Sequence, residues 1–190
     1  MAYTTIDNPE LYFQVKLYSG TGSSNALTLD GDEDMQPDLV WIKSRAGGDV
    51  SNHRFYDSAR GATKELYPDL NEAEGTNANG LTTFGTDGFT VGSAGGVNDS
   101  STTYVAWCWK ETADAGFDTV LYTGNSTART ISHSLSAIPH WIITKTRSDL
   151  NEWGVYHQST GNTKFLNLNK TDAVGDDSGY WNDTDPTSSV

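Results

Sequence analysis

The chain of 190 residues contains one cysteine, Cys108. That excludes an internal disulfide, a cysteine-based zinc site and a redox pair, so stability must come from packing or assembly. No apolar run reaches the roughly 18 residues that a membrane-crossing helix needs. The start, Met1-Ala2-Tyr3-Thr4-Thr5-Ile6-Asp7, has neither the basic residues nor the apolar stretch of a secretory signal, which predicts synthesis in a cytoplasm. Positive charge is scarce, with 12 Lys and Arg against 25 Asp and Glu and a formal net charge of -13. Such a surface repels phosphate backbones and anionic headgroups, so neither nucleic acid nor membrane is expected as a partner. Helix formers are sparse.

What is present is the mixture of an all-β protein: 19 glycines, 11% aromatic residues and abundant Thr, Ser, Asn and Asp, suited to short strands joined by tight turns. The chain also repeats itself. Val15 to Gly20 returns as Thr119 to Gly124, an offset of 104, and Gln36 to Arg45 returns as Ile138 to Arg147, an offset of 102. Tyr56, Gly61, Thr63, Lys64 and Leu66 match Tyr156, Gly161, Thr163, Lys164 and Leu166 at an offset of 100. Each step falls in a turn, Asp30 to Asp34 or Ala46 to Asp49, where a change of loop length costs least.

The expected fold is therefore all-β, with tandem β-sandwich repeats of jelly-roll or lectin-like type, the second incomplete. Residues 1–14 are set apart as a docking segment, 15–110 as the first repeat, 111–116 as a linker and 117–190 as the second repeat. Val15 to Tyr18 and Asn25 to Leu29 read as a hairpin across Gly20 to Ser24. Leu39-Val40-Trp41-Ile42 is apolar on both faces and suits a central strand. Tyr104 to Trp109 alternates, which puts Val105, Trp107 and Trp109 on one face, and burying such side chains contributes roughly 1.5–3 kcal/mol each. Asp87 to Gly92 reads as a turn and strand, and Asn71 to Asn79 as a surface loop or short helical turn. Because Phe89 lies 25 residues after Lys64 and Ser189 lies 25 after Lys164, no counterpart of Phe89 to Lys110 follows, and the polypeptide is expected to continue past Val190.

Chemical signals are few. His53, His133, His140 and His157 lack metal-ligand spacing, and Asp30-x-Asp32-x-Asp34 lacks the later glycine and glutamate of a calcium loop, so no metal and no cofactor are expected. Gly20-Thr21-Gly22 lacks the third glycine of a dinucleotide fingerprint, and no Gly-x-Ser-x-Gly elbow is present. Arg60-Gly61-Ala62-Thr63-Lys64 reads as a structural turn. No catalytic residue is assigned, and no enzyme is expected. Trp153, Tyr180 and Trp181 are the candidate sugar-stacking aromatics near the loops of the second repeat, with Tyr156 assigned to the core.

Several stretches together resemble a family of marine bacteriophage virion structural proteins of tail-fibre-like type. They are Met1 to Pro9, Tyr12-Phe13-Gln14, Gln36 to Lys43, Asp57 to Lys64, Asp87 to Gly92 and Tyr104-Val105-Ala106-Trp107, with Tyr122 to Asn125 opening the second repeat. The resemblance implies a virion location after assembly in the host cytoplasm and a particle-proximal part of a tail or head fibre involved in host attachment. The partners it implies are other virion proteins of tail or capsid, further copies of the chain in a homo-oligomer such as a trimer, and a host surface glycan. A carbohydrate-binding, lectin-like module is the alternative, and a glycan depolymerase the third reading, requiring paired carboxylates in a cleft.

Overall fold

A computed structural model of the chain describes residues 6–47 and 51–190. Met1 to Thr5, the start of the expected docking segment, lie outside the described residues. The fold is all-β. The first four-stranded antiparallel sheet runs in the order β1 (Phe13–Ser19), β9 (Thr103–Trp109), β3 (Leu39–Ala46), β4 (Arg54–Asp57). A three-stranded sheet of β2 (Asn25–Leu27), β8 (Gly88–Val91) and β7 (Leu81–Gly85) shares its core, giving a β-sandwich-like unit. Short β5 (Lys64–Glu65) and β6 (Gly75–Thr76) pair beside it, and the one-turn helix α1 (Gly95–Asn98) precedes β9.

Val40 and Ile42 are fully buried in that core, as a centrally placed apolar strand requires. The alternation of β9 is as expected, but the core face is the opposite one: Tyr104, Ala106 and Cys108 are fully buried, whereas Val105, Trp107 and Trp109 are half-buried on the outside. Small residues at 106 and 108 leave space for Tyr18, Val40, Ile42 and Tyr56 in the same cluster. The stacked rings of Tyr18 and Tyr104, 5.1 Å apart, donate their hydroxyls to the carbonyls of Val97 and Gly95. Buried phenols thereby keep partners.

The hairpin expected from Val15 to Leu29 does not form. β1 pairs with β9 and β2 with β8, so the two strands enter different sheets. The turn between them is held by fully buried Asn98, which accepts from the Thr21 N–H and donates to the Gly92 carbonyl. A side chain on Gly20 would collide with the Asp99 backbone, which accounts for glycine there without any phosphate cradle. Phe13 and Gln14, placed in the docking segment by sequence, begin β1, with the Gln14 amide bridging Glu10, Gly31 and Glu33.

The second four-stranded sheet runs β10 (Trp141–Thr144), β11 (Gly154–His157), β12 (Lys164–Asn167), β13 (Gly175–Asp176), followed by one-turn α2 (Ser178–Trp181). Its register coincides with that of the first unit at the sequence offsets. Leu39 faces Asp57 and Val40 faces Tyr56, while Trp141 faces His157 and Ile142 faces Tyr156. Lys64 faces Thr76 and Lys164 faces Asp176. Gly61 and Gly161 both take positive φ, 92° and 83°, in turns where their N–H groups donate back to Asp57 and His157. The Arg60 to Thr63 stretch is thus a turn, and Lys64 begins β5. Arg60 itself is locked between Asp57 and Glu74.

Candidate functional site

The outer face of the first sheet is unusually apolar: Val15, Trp107, Trp41 and Phe55 lie directly opposite one another across four strands. The second unit covers the β3–β4 end of this row. Trp153 is 4% exposed and stands edge-on to Phe55, ring centroids 5.5 Å apart. Its indole N–H donates to the carbonyls of Tyr67 and Leu70 at 2.9 and 3.0 Å. Leu66, Ile143 and Leu168 complete the cluster.

A charged clasp lies alongside. Glu74 accepts from Arg60 of the first unit at 3.2 Å and from both arms of Arg147 of the second at 2.8 and 2.9 Å. Burial would raise the Glu74 carboxyl, but the hydrogen bonds from Arg147 and Arg60 overcome it and hold the group below its usual range. Backbone bonds from Glu74 N–H to Arg147 and from Asn151 N–H to Asn71 close the junction.

Between the units runs a groove of about 340 Å³, lined by Trp41, His53, Asp69, Leu168, Asn169 and Lys170 among others. Equivalent positions of both units meet there. The His53 backbone N–H donates to Asp69 Oδ1 at 3.1 Å, and the Trp153 backbone N–H donates to Asn169 Oδ1 at 3.1 Å, 100 residues further along. Trp41 Nε1 donates to His53 Nδ1 at 2.8 Å. An indole nitrogen only donates, so Nδ1 is the accepting atom and the imidazole is neutral in this contact. Burial lowers the His53 pKa against the opposing pull of Asp69, in keeping with that form.

The three aromatics singled out from sequence fall in different surroundings. Trp153 is enclosed and has no ring face to offer a sugar: the requirement to cover Phe55 and satisfy the indole N–H places it in the junction. Tyr180 is 37% exposed, with one face stacked on Phe165 at 3.9 Å and 9°. Trp181 is half-buried, edge-on to Tyr156, its N–H donating to the Lys164 carbonyl. Tyr180 and Trp181 are neighbours, but their ring planes meet at 50° rather than forming one flat platform. Sequence reasoning missed Trp41 and His53. The signal was the two-sided apolarity of β3, which implied a covering layer on its outer face.

A second polar cluster is internal. Buried Glu65 accepts from the hydroxyls of Tyr56 and Tyr67, each at 2.7 Å, with Arg54 3.7 Å away and stacked over the Tyr67 ring. The equivalent positions of the second unit are Phe165, Tyr156, Asn167 and Gly154. Only one buried side-chain polar atom lacks a partner among the described residues, Asn167 Oδ1. No group of three or more His, Cys, Asp or Glu side chains among them could hold a metal ion.

No curated protein and no solved structure matches this chain. Residues 8–190 match the profile described as a domain of unknown function, DUF7483, and since the match covers nearly the whole chain, the protein belongs to that family.

Proposed function

We propose that the protein is a non-enzymatic structural component of a bacteriophage virion, the particle-proximal part of a tail or head fibre that serves host attachment. The observation that carries this reading is the junction: Trp153 and the Arg60–Glu74–Arg147 clasp fasten one β unit to the next, the construction expected of a stiff shaft. The polar groups of the Glu65 cluster are spent on one another rather than presented to a cleft. Resemblance of the quoted motifs to tail-fibre-like virion proteins supports a virion location. Val15 and Leu17 on β1, 43% and 55% exposed, give further copies of the chain an apolar surface to cover, in keeping with a homo-oligomer such as a trimer. Gold-labelled antibodies against the purified chain test the assignment, with label expected on fibres of the intact particle. Label confined to lysate and absent from particles would overturn it.

A second reading is favoured by the groove. Trp41 borders a polar-fringed cleft with His53, Asp69, Asn169 and Lys170, the combination of apolar ring and convergent polar groups that holds a sugar. A host surface glycan is then its ligand. Titration with oligosaccharides under tryptophan fluorescence should give a saturable change that Trp41→Ala abolishes. A flat titration across a broad glycan panel removes this reading and leaves the first untouched.

A further inference from the structure

The two units build the same backbone contact at equivalent places and differ in what is left over. In each, a backbone N–H is accepted by a side chain 16 residues further on, His53 by Asp69 and Trp153 by Asn169. In the second unit the side chains of this pair are spent. The Trp153 indole donates to the carbonyls of Tyr67 and Leu70, and the Asn169 amide donates to Glu152 while its oxygen holds the Trp153 backbone N–H.

In the first unit they are not. Asp69 meets the structural need with Oδ1, a need that an asparagine fills in the second unit, and its other oxygen accepts nothing from the described residues. His53 accepts the Trp41 indole N–H at Nδ1, which places its own hydrogen on Nε2, and that donor has no partner among the described residues either. Burial lowers the His53 pKa, against the pull of Asp69 and with the help of Lys43, and so favours this neutral form. Both side chains line the groove with Trp41. The indole is held in place, with Phe55 edge-on at 4.7 Å and Trp107 at 5.5 Å between ring centroids. One unspent donor, one unspent anionic acceptor and one immobilised aromatic ring border the same space.

Resting on the sugar-binding reading of this groove, we infer that its ligand is a neutral hexopyranose residue of a glycan, gripped through two adjacent hydroxyls. One hydroxyl accepts from His53 Nε2–H and its neighbour donates to the free oxygen of Asp69, while the C–H face of the sugar ring covers the Trp41 indole. Charge sets the class. Lys170 is the cation among the lining residues, and its Nζ is already paired with Glu152 at 3.0 Å, with Asp172 at 3.9 Å. A carboxylate on the sugar would meet Asp69 with no uncommitted lining cation to offset it, on a chain of net charge -13. Uronic and sialic acids are therefore disfavoured, and a neutral ring with its hydroxyls side by side matches what the groove offers.

The test titrates the intact chain, under tryptophan fluorescence and calorimetry, with neutral gluco-, galacto- and manno-oligosaccharides and with sialylated and uronic-acid oligosaccharides. Saturable binding is expected from a neutral series and from neither acidic one. Asp69→Asn keeps an acceptor for the His53 backbone N–H, as Asn169 does for Trp153, so its denaturant midpoint should equal that of wild type while affinity for the neutral sugar falls on the order of tenfold. Among monodeoxy analogues of that sugar, one should bind wild type as weakly as the full sugar binds the variant, and lose nothing further on Asp69→Asn. The analogues vary only the ligand, so they carry the test whatever the variant's stability. Saturable binding of an acidic series at equal or higher affinity, or neutral-sugar affinity unchanged in Asp69→Asn, would overturn this inference and leave the groove a sugar site. A flat titration with every series removes both.

Discussion

Trp153 and Tyr67 are joined by a hydrogen bond of 2.9 Å from an indole N–H to a backbone carbonyl, across 86 residues of sequence. The same N–H reaches Leu70 at 3.0 Å, and the ring is buried against Phe55. One side chain thus contributes both apolar burial and polar satisfaction to the contact between the two β units.

Truncation of this residue should therefore be severe. Trp153→Ala is expected to cost about 3–5 kcal/mol of stability, and Trp153→Phe less, since the phenyl ring keeps packing while the two carbonyls lose their donor. Denaturant midpoints check this, with Tyr122→Ala as an exposed control expected within about 0.5 kcal/mol of wild type. Equal midpoints for the alanine variant and wild type would show that the junction contributes little.

The Glu65 cluster predicts a different pattern. Glu65→Ala leaves two tyrosine hydroxyls without their acceptor and Arg54 without its carboxylate partner, and should destabilise by about 3–5 kcal/mol. Glu65→Gln retains an acceptor for the hydroxyls and is expected to cost less. A smaller loss for the alanine variant than for glutamine would contradict the described bonding.

Alkaline pH should unfold the protein from the inside. Burial pushes the Cys108 thiol from 9.0 up to about 12 and raises Tyr18 and Tyr56 well above 10.0. A raised folded pKa means that the folded state binds protons that the unfolded state releases. The stability is fully present below about pH 9 and is lost progressively as pH rises towards 12. Below that window Cys108 should resist thiol reagents and react at the rate of unfolding, which labelling against denaturant concentration would read.

Acid should loosen the clasp. Glu74 is held below its ordinary 4.5 once the bonds from Arg147 and Arg60 have overcome the effect of burial. Its contribution is present above that ordinary value and disappears as pH falls through the depressed one. In Glu74→Gln the acid-side loss of stability should be shallower than in wild type; parallel profiles would assign the acid sensitivity elsewhere.

Local sequence was a good guide to strands and a poor one to partners. The apolar run of β3 announced a central strand because both of its faces are covered, by the sandwich core on one side and by Trp41's neighbours on the other. β9 could be recognised as alternating, yet ring size suggested the wrong inner face: the core accepted Ala106 and Cys108 and left the indoles outside. The false hairpin of β1 and β2 has a similar origin, since their true partners lie far along the chain and local turn signals carry no record of them. The groove was illegible for the same reason, because Trp41 and His53 meet Leu168 and Asn169 only after the second unit has packed.

Peptide mapping by mass spectrometry of phage particles purified from cells that produce this chain tests the proposed virion assignment most directly. The account predicts tryptic peptides from both β units in the particle fraction, at a copy number comparable with other structural proteins. Their absence from particles, with the chain abundant in the infected lysate, would contradict it.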